Sequence, residues 1–186
     1  MIVICVILSS VLLAPVVSLV MNKLFRFIYN TMEKLFGYKV TDFIFTMLTI
    51  VGIIHHELSH LVLGLLLGCR LLDRKLYNKS SSSSKYLGYI EFSMSRNIFI
   101  KSIQCYLVQT APFVLGVFSL LALSYILISF DLIVFVSISI KIVMISIFLH
   151  MFMSVPDINV MLDSPVYNLC NVALPIFYTV LCIVFN

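Results

Sequence analysis

The chain has 186 residues, of which 62% are hydrophobic and 11% charged, with a formal charge of +4 and a mean hydropathy of +1.15. A soluble domain carries about 25% charged residues, so this composition excludes one and points to an all-α polytopic membrane protein, a single domain with room for about five transmembrane helices. All Lys and Arg except Lys141 lie outside apolar runs or at their ends. That distribution offers no basic patch interleaved with aromatics, which excludes a nucleic-acid partner and leaves the lipid bilayer as the expected one.

Residues 2–20 are uncharged, with Pro15 the one irregularity, and read as a first membrane helix. A cleavable signal peptide starts basic and ends its apolar core at small residues, and this stretch does neither. Over 21–40, Leu24, Phe25, Phe27 and Ile28 alternate imperfectly with Lys23, Arg26, Asn30, Glu33 and Lys34, the pattern of an amphipathic helix lying at the interface. Residues 1–40 are therefore read as an N-terminal membrane helix and an interfacial helix, ahead of a membrane core over 41–186. A second span covers about 43–69.

Residues 70–97 form the one long polar interval. Its flanks, 70–77 and 85–93, are expected to pair as a small hairpin around a flexible tip made of Asn78, Lys79 and the serines at 80–84. The run from Tyr86 to Phe92 is rich in aromatic and β-branched residues, so an exposed edge at Tyr89 and Ile90 is a candidate for holding an extended substrate peptide by main-chain hydrogen bonds. Further spans are expected over about 103–130, 132–153 and 166–185, with a tight turn at Asp131. Pro156 is expected to interrupt helix and leave irregular backbone beside Asp157. Lys141, inside the fourth span, reads as a snorkelling side chain. The five cysteines are odd in number, form no C-x-x-C pair and read as small apolar residues.

The second span carries His55-His56-Glu57-Leu58-Ser59-His60, whose core has the form H-E-x-x-H. Residues four apart lie one helical turn above each other, so His56 and His60 can present imidazoles to one zinc ion, while Glu57 points about 100° away as a base for a water. With four His in the chain, random placement produces this pattern on the order of once in a thousand such chains. Ionisable groups at mid-bilayer cost several kcal/mol each unless paired or bound to metal, which makes a cluster of them a functional candidate. Gly52, Gly64 and Gly68 continue the four-residue spacing of His56 and His60 and are expected to let another helix approach. His55 lies off that pair and reads as a supporting or packing residue. Two histidines leave a third protein ligand to be found among Glu91, Asp73, His150, Asp157 and Asp163. Asp157, a carboxylate at a proline break two spans downstream, is the preferred choice.

Through these residues the chain resembles the site-2 protease class of intramembrane zinc metalloproteases, over about residues 45–165. His56-Glu57-Leu58-Ser59-His60 matches the first motif of that class. Thr110-Ala111-Pro112-Phe113-Val114-Leu115-Gly116 looks like the second, and Phe152-Met153-Ser154-Val155-Pro156-Asp157 like the third. The resemblance implies a zinc endopeptidase acting on membrane-embedded proteins or peptides, with His56, His60 and Asp157 as metal ligands and Glu57 as the catalytic base. Two other readings stay open. One is a non-catalytic polytopic membrane protein with a structural, sensing or transport metal. The other is a prenyl-protein type zinc protease, which needs a downstream glutamate that Glu91 alone can supply. The interval 70–101 holds Arg70, Arg74, Lys75, Lys79, Lys85, Arg96 and Lys101, and this bias places it in the cytosol, together with the N-terminus and the Asp157 region, of a protein expected in the cell membrane.

Overall fold

The computed structural model of the chain describes residues 2–77 and 88–163. In chain order these form α1 (Ile2–Phe36), α2 (Tyr38–Leu66), β1 (Arg70–Lys75), β2 (Tyr89–Ser93), α3 (Ile98–Ser129), α4 (Val134–His150) and α5 (Val155–Leu162). The serine tract at 80–84, Tyr86 and the span expected over 166–185 lie outside the described residues. Among those described the protein is mostly helical. Helices α2 and α3 are each long and apolar enough to cross a membrane, and α4 with α5, bent by 43°, makes a third if the pair is taken as one span. The outer faces of α3 and α4 are apolar: Ile128, Ile133 and Phe135 are 86%, 77% and 78% exposed. Water-soluble proteins seldom leave so much contiguous apolar surface bare.

The boundary expected near residue 20 is absent, because α1 runs unbroken from Ile2 to Phe36 and the stretch expected to form a separate interfacial helix is its second half. No glycine or proline lies between Met21 and Phe36. The first residue able to reverse the chain is Gly37, which adopts φ +78°, a conformation L side chains rarely take. Its N–H still donates to Glu33 C=O, and its own C=O receives the Thr41 N–H of α2. One glycine thus joins two long helices.

Helix α2 packs against α3 and α4, with α1 leaning on its first half. The glycine spacing works in three different ways. At Gly52, α4 comes close enough that the Gly52 N–H lies 2.7 Å from Ser146 Oγ and a Cβ would overlap the Ser146 carbonyl. At Gly64 the neighbour is not a helix but the ring of Phe92 on β2. Gly68 touches nothing; with φ +74° it ends α2, letting the Cys69 N–H reach back to Gly64 C=O. Only Gly52, therefore, serves the helix contact expected of all three. Gly52→Ala is expected to push α4 off α2 and destabilise the protein by about 1–3 kcal/mol, read as a lower thermal midpoint in detergent; an unchanged midpoint would show slack between the helices.

The expected hairpin forms. β1 and β2 pair antiparallel, with Arg74 opposite Ile90 and Lys75 opposite Tyr89, and a bulge between Leu71 and Asp73. Tyr89 OH donates to Asp73 Oδ2 across the strands at 2.7 Å, and this bond, with the Arg74 N–H, holds the Asp73 carboxyl below its usual range. As each strand has one neighbour among the described residues, β2 keeps an edge that none of them pairs with. The tight turn expected at Asp131 falls between Phe130 and Ile133, the caps of α3 and α4.

Candidate metal centre

The site is built where the middle of α2 meets the junction of α4 and α5. His56 and His60, one turn apart and both buried, bring their Nε2 atoms to 3.2 Å from each other. Asp157 enters from the first turn of α5, with Oδ2 3.2 Å from His56 Nε2 and Oδ1 3.6 Å from His60 Nε2. These three residues form the one group among the described residues whose donor atoms converge closely enough to hold a metal ion.

The ring orientation of each histidine follows from its other nitrogen. His56 Nδ1 lies 2.7 Å from the His150 carbonyl, and His60 Nδ1 lies 2.7 Å from the Val108 carbonyl. A carbonyl only accepts, so both Nδ1 atoms carry the proton, and in a neutral imidazole that leaves the lone pair on Nε2. Two lone pairs and a carboxylate therefore face one another away from water. One proton can serve one of these contacts; a divalent cation serves all of them. The spacing suits that role. Ligand atoms about 2.0–2.1 Å from a tetrahedral ion stand about 3.3–3.4 Å apart.

The irregular backbone expected beside Asp157 lies just before it, and Asp157 itself is helical. The break precedes it, over 151–154, and Pro156 sits in the first turn of α5, where its missing N–H leaves no bond unmade. Ser154 caps that helix: its hydroxyl accepts from Asp157 N–H, and Asp157 Oδ2 accepts from Ser154 N–H at 2.8 Å and from the Ser154 hydroxyl. This reciprocal capping fixes the carboxylate before any metal binds. The break itself is anchored from α1. Met153 is fully buried, its N–H donating to Ser18 Oγ and its C=O receiving Asn22 Nδ2. Residues 18 and 22 are one turn apart, so a single face of α1 satisfies both backbone groups of a non-helical residue that would otherwise be orphaned.

Glu57 is buried beside the triad and lines, with His56, a cleft of about 890 Å³ bounded by α1, the first half of α2 and the α4–α5 break. Exposed Arg26, Lys39 and Asp42 line it as well. The residue just before β2 closes over Glu57: a Cβ on Gly88 would meet Glu57 Cγ at 2.8 Å. Ile90 is half-buried and Tyr89 more exposed, on the strand that continues from that contact.

Other sequence candidates lie elsewhere. His150 contributes its carbonyl, not its ring, which turns toward Ser146 C=O. Asp73 and Glu91 are exposed and opposite one another on the hairpin, and Asp163 caps the end of α5. None joins His56 and His60 in the group, which removes the geometric basis for a glutamate-liganded site. His55 turns away and pairs with Ser119 Oγ at 2.9 Å. Sequence reasoning missed Ser18, Asn22, Gly88, Val108 and Ser154. Of these only Ser154 carried a readable signal, as the first member of an S-x-x-D capping pattern. Comparison of the chain with family models, curated proteins and solved structures finds no match.

Proposed function

We propose that the chain is an integral, multi-pass membrane zinc endopeptidase of the site-2 protease kind, cleaving peptide bonds of membrane-embedded substrates. The observation that carries the reading is the convergence of His56 Nε2, His60 Nε2 and Asp157 beside the buried carboxylate of Glu57. Two imidazoles and one carboxylate form the kind of three-ligand set that catalytic zinc uses, with a fourth position left open. When bound, zinc polarises a peptide carbonyl and makes water a stronger acid. Glu57, at the cleft wall, would take a proton from water and deliver it to the leaving amine. Water and substrate reach Glu57 through the cleft, which follows α2 from Lys39 to Glu57, about 27 Å at 1.5 Å per residue. A substrate helix has its backbone already bonded and must unwind to be cut; the free edge of β2 at Tyr89 and Ile90 can take up the extended segment.

The test is metal removal. Chelation of the purified protein in lipid vesicles is expected to abolish cleavage of a single-span substrate, and stoichiometric zinc to restore it. Zinc bound tightly with no cleavage of any membrane peptide would assign the cluster to a structural, sensing or transport metal instead.

A further inference from the structure

We propose that Pro112 is a positioning residue for the metal centre: having no N–H, it leaves the Val108 carbonyl free to accept from His60 Nδ1 and so aims His60 Nε2 at the metal. This rests on the zinc reading above. In an α-helix the carbonyl of one residue is used by the N–H four residues on. The residue four after Val108 is Pro112, fully buried inside α3, and proline has no N–H to give. The acceptor it releases is the one 2.7 Å from His60 Nδ1. The second imidazole is held in the same manner by other means. His56 Nδ1 uses the His150 carbonyl, and the N–H four residues on, that of Ser154, is turned away to Asp157 because α4 has ended. Each histidine is thus steadied by a carbonyl that its own helix does not use. A proline inside a helix normally weakens it, so its presence at this one position is explained by the bond it makes available. A carbonyl partner on Nδ1 fixes the tautomer and strengthens the opposite nitrogen as a ligand.

Pro112→Ala returns an N–H that competes for Val108. On the full-length protein in detergent, zinc affinity measured against a chelating dye is expected to fall about 10- to 100-fold, and the visible spectrum of the cobalt form to change. The metal-free protein should melt no lower than wild type, since α3 gains a helical bond; ordinary packing at Pro112 would move these two readouts the other way. An ester at this position, lactic acid in place of alanine, has neither N–H nor ring and is expected to restore wild-type affinity. Wild-type zinc affinity in Pro112→Ala overturns the proposal. So does an ester variant that binds as weakly as the alanine one, or an alanine variant that does not fold. A wild type that takes up neither zinc nor cobalt sinks the zinc reading and this proposal with it, an outcome distinct from any failure confined to Pro112.

Discussion

Glu57→Gln is expected to lower the rate of peptide cleavage by about 10²- to 10⁴-fold while leaving zinc content unchanged. Removing a positioned general base loses a factor of that size, equivalent to about 3–5 kcal/mol of transition-state stabilisation. The prediction separates chemistry from architecture because the two carboxylates near the site hold different places. Asp157 converges with the imidazoles, whereas Glu57 lies outside that group, against Gly88 and the cleft. Glutamine keeps the shape that packs under Gly88 and gives up only the ability to take a proton. Initial rates on a single-span substrate in vesicles, beside elemental zinc analysis of the same preparations, check both halves. A variant that cuts at the wild-type rate would end the proposed mechanism. One that loses its zinc would show that Glu57 belongs among the ligands.

Asp157→Ala should weaken zinc binding by more than about 100-fold, beyond the 10–100-fold typical when a group merely supporting a ligand is lost. The side chain serves two purposes, and the alanine variant removes both. It takes one ligand from the ion, and it strips the acceptor from Ser154 N–H and hydroxyl at the start of α5, a capping loss of about 0.5–2 kcal/mol. Asp157→Asn divides them: its amide oxygen can still receive the Ser154 N–H, but it is a neutral, poorer ligand. Asparagine should thus keep most of the stability and little of the zinc affinity, as read by thermal melting and competitive titration. Wild-type affinity in either variant would mean that the ion is held without this carboxylate.

Helical periodicity makes part of the site legible in the sequence alone. His56 and His60 must share a face wherever they are helical, and a long apolar run of this kind is expected to be helical, since a membrane would leave no unpaired backbone tolerable. The hairpin was legible for a related reason, since the polar interval with its β-branched and aromatic flank cannot continue either helix. Asp157 was one of five candidates for the third ligand, preferred for its proline break and implied by the motif resemblance, and nothing in the sequence closed that choice. The interruption expected at the proline lies just before it, and Pro156 itself belongs to a new helix, because Ser154 two residues earlier turns the segment into a capped N-terminus. The interfacial helix failed differently. Charge pattern describes which solvent a stretch of helix meets, and it carries no instruction to stop, so α1 continued to Gly37.

What the amino-acid sequence determined alone is therefore what depends on neighbours within a turn or a strand: the composition that favours lipid, the helical spans, the paired imidazoles and the hairpin. Tertiary structure decided everything that needed a partner from far along the chain. It chose which carboxylate meets the histidines, which carbonyls orient them through Val108 and His150, and how Ser18 and Asn22 anchor the break at Met153. Local spacing sets the direction of a side chain relative to its own backbone, whereas a buried hydrogen bond is made only when two distant backbones are packed to within about 3 Å, and no spacing within one segment encodes that distance.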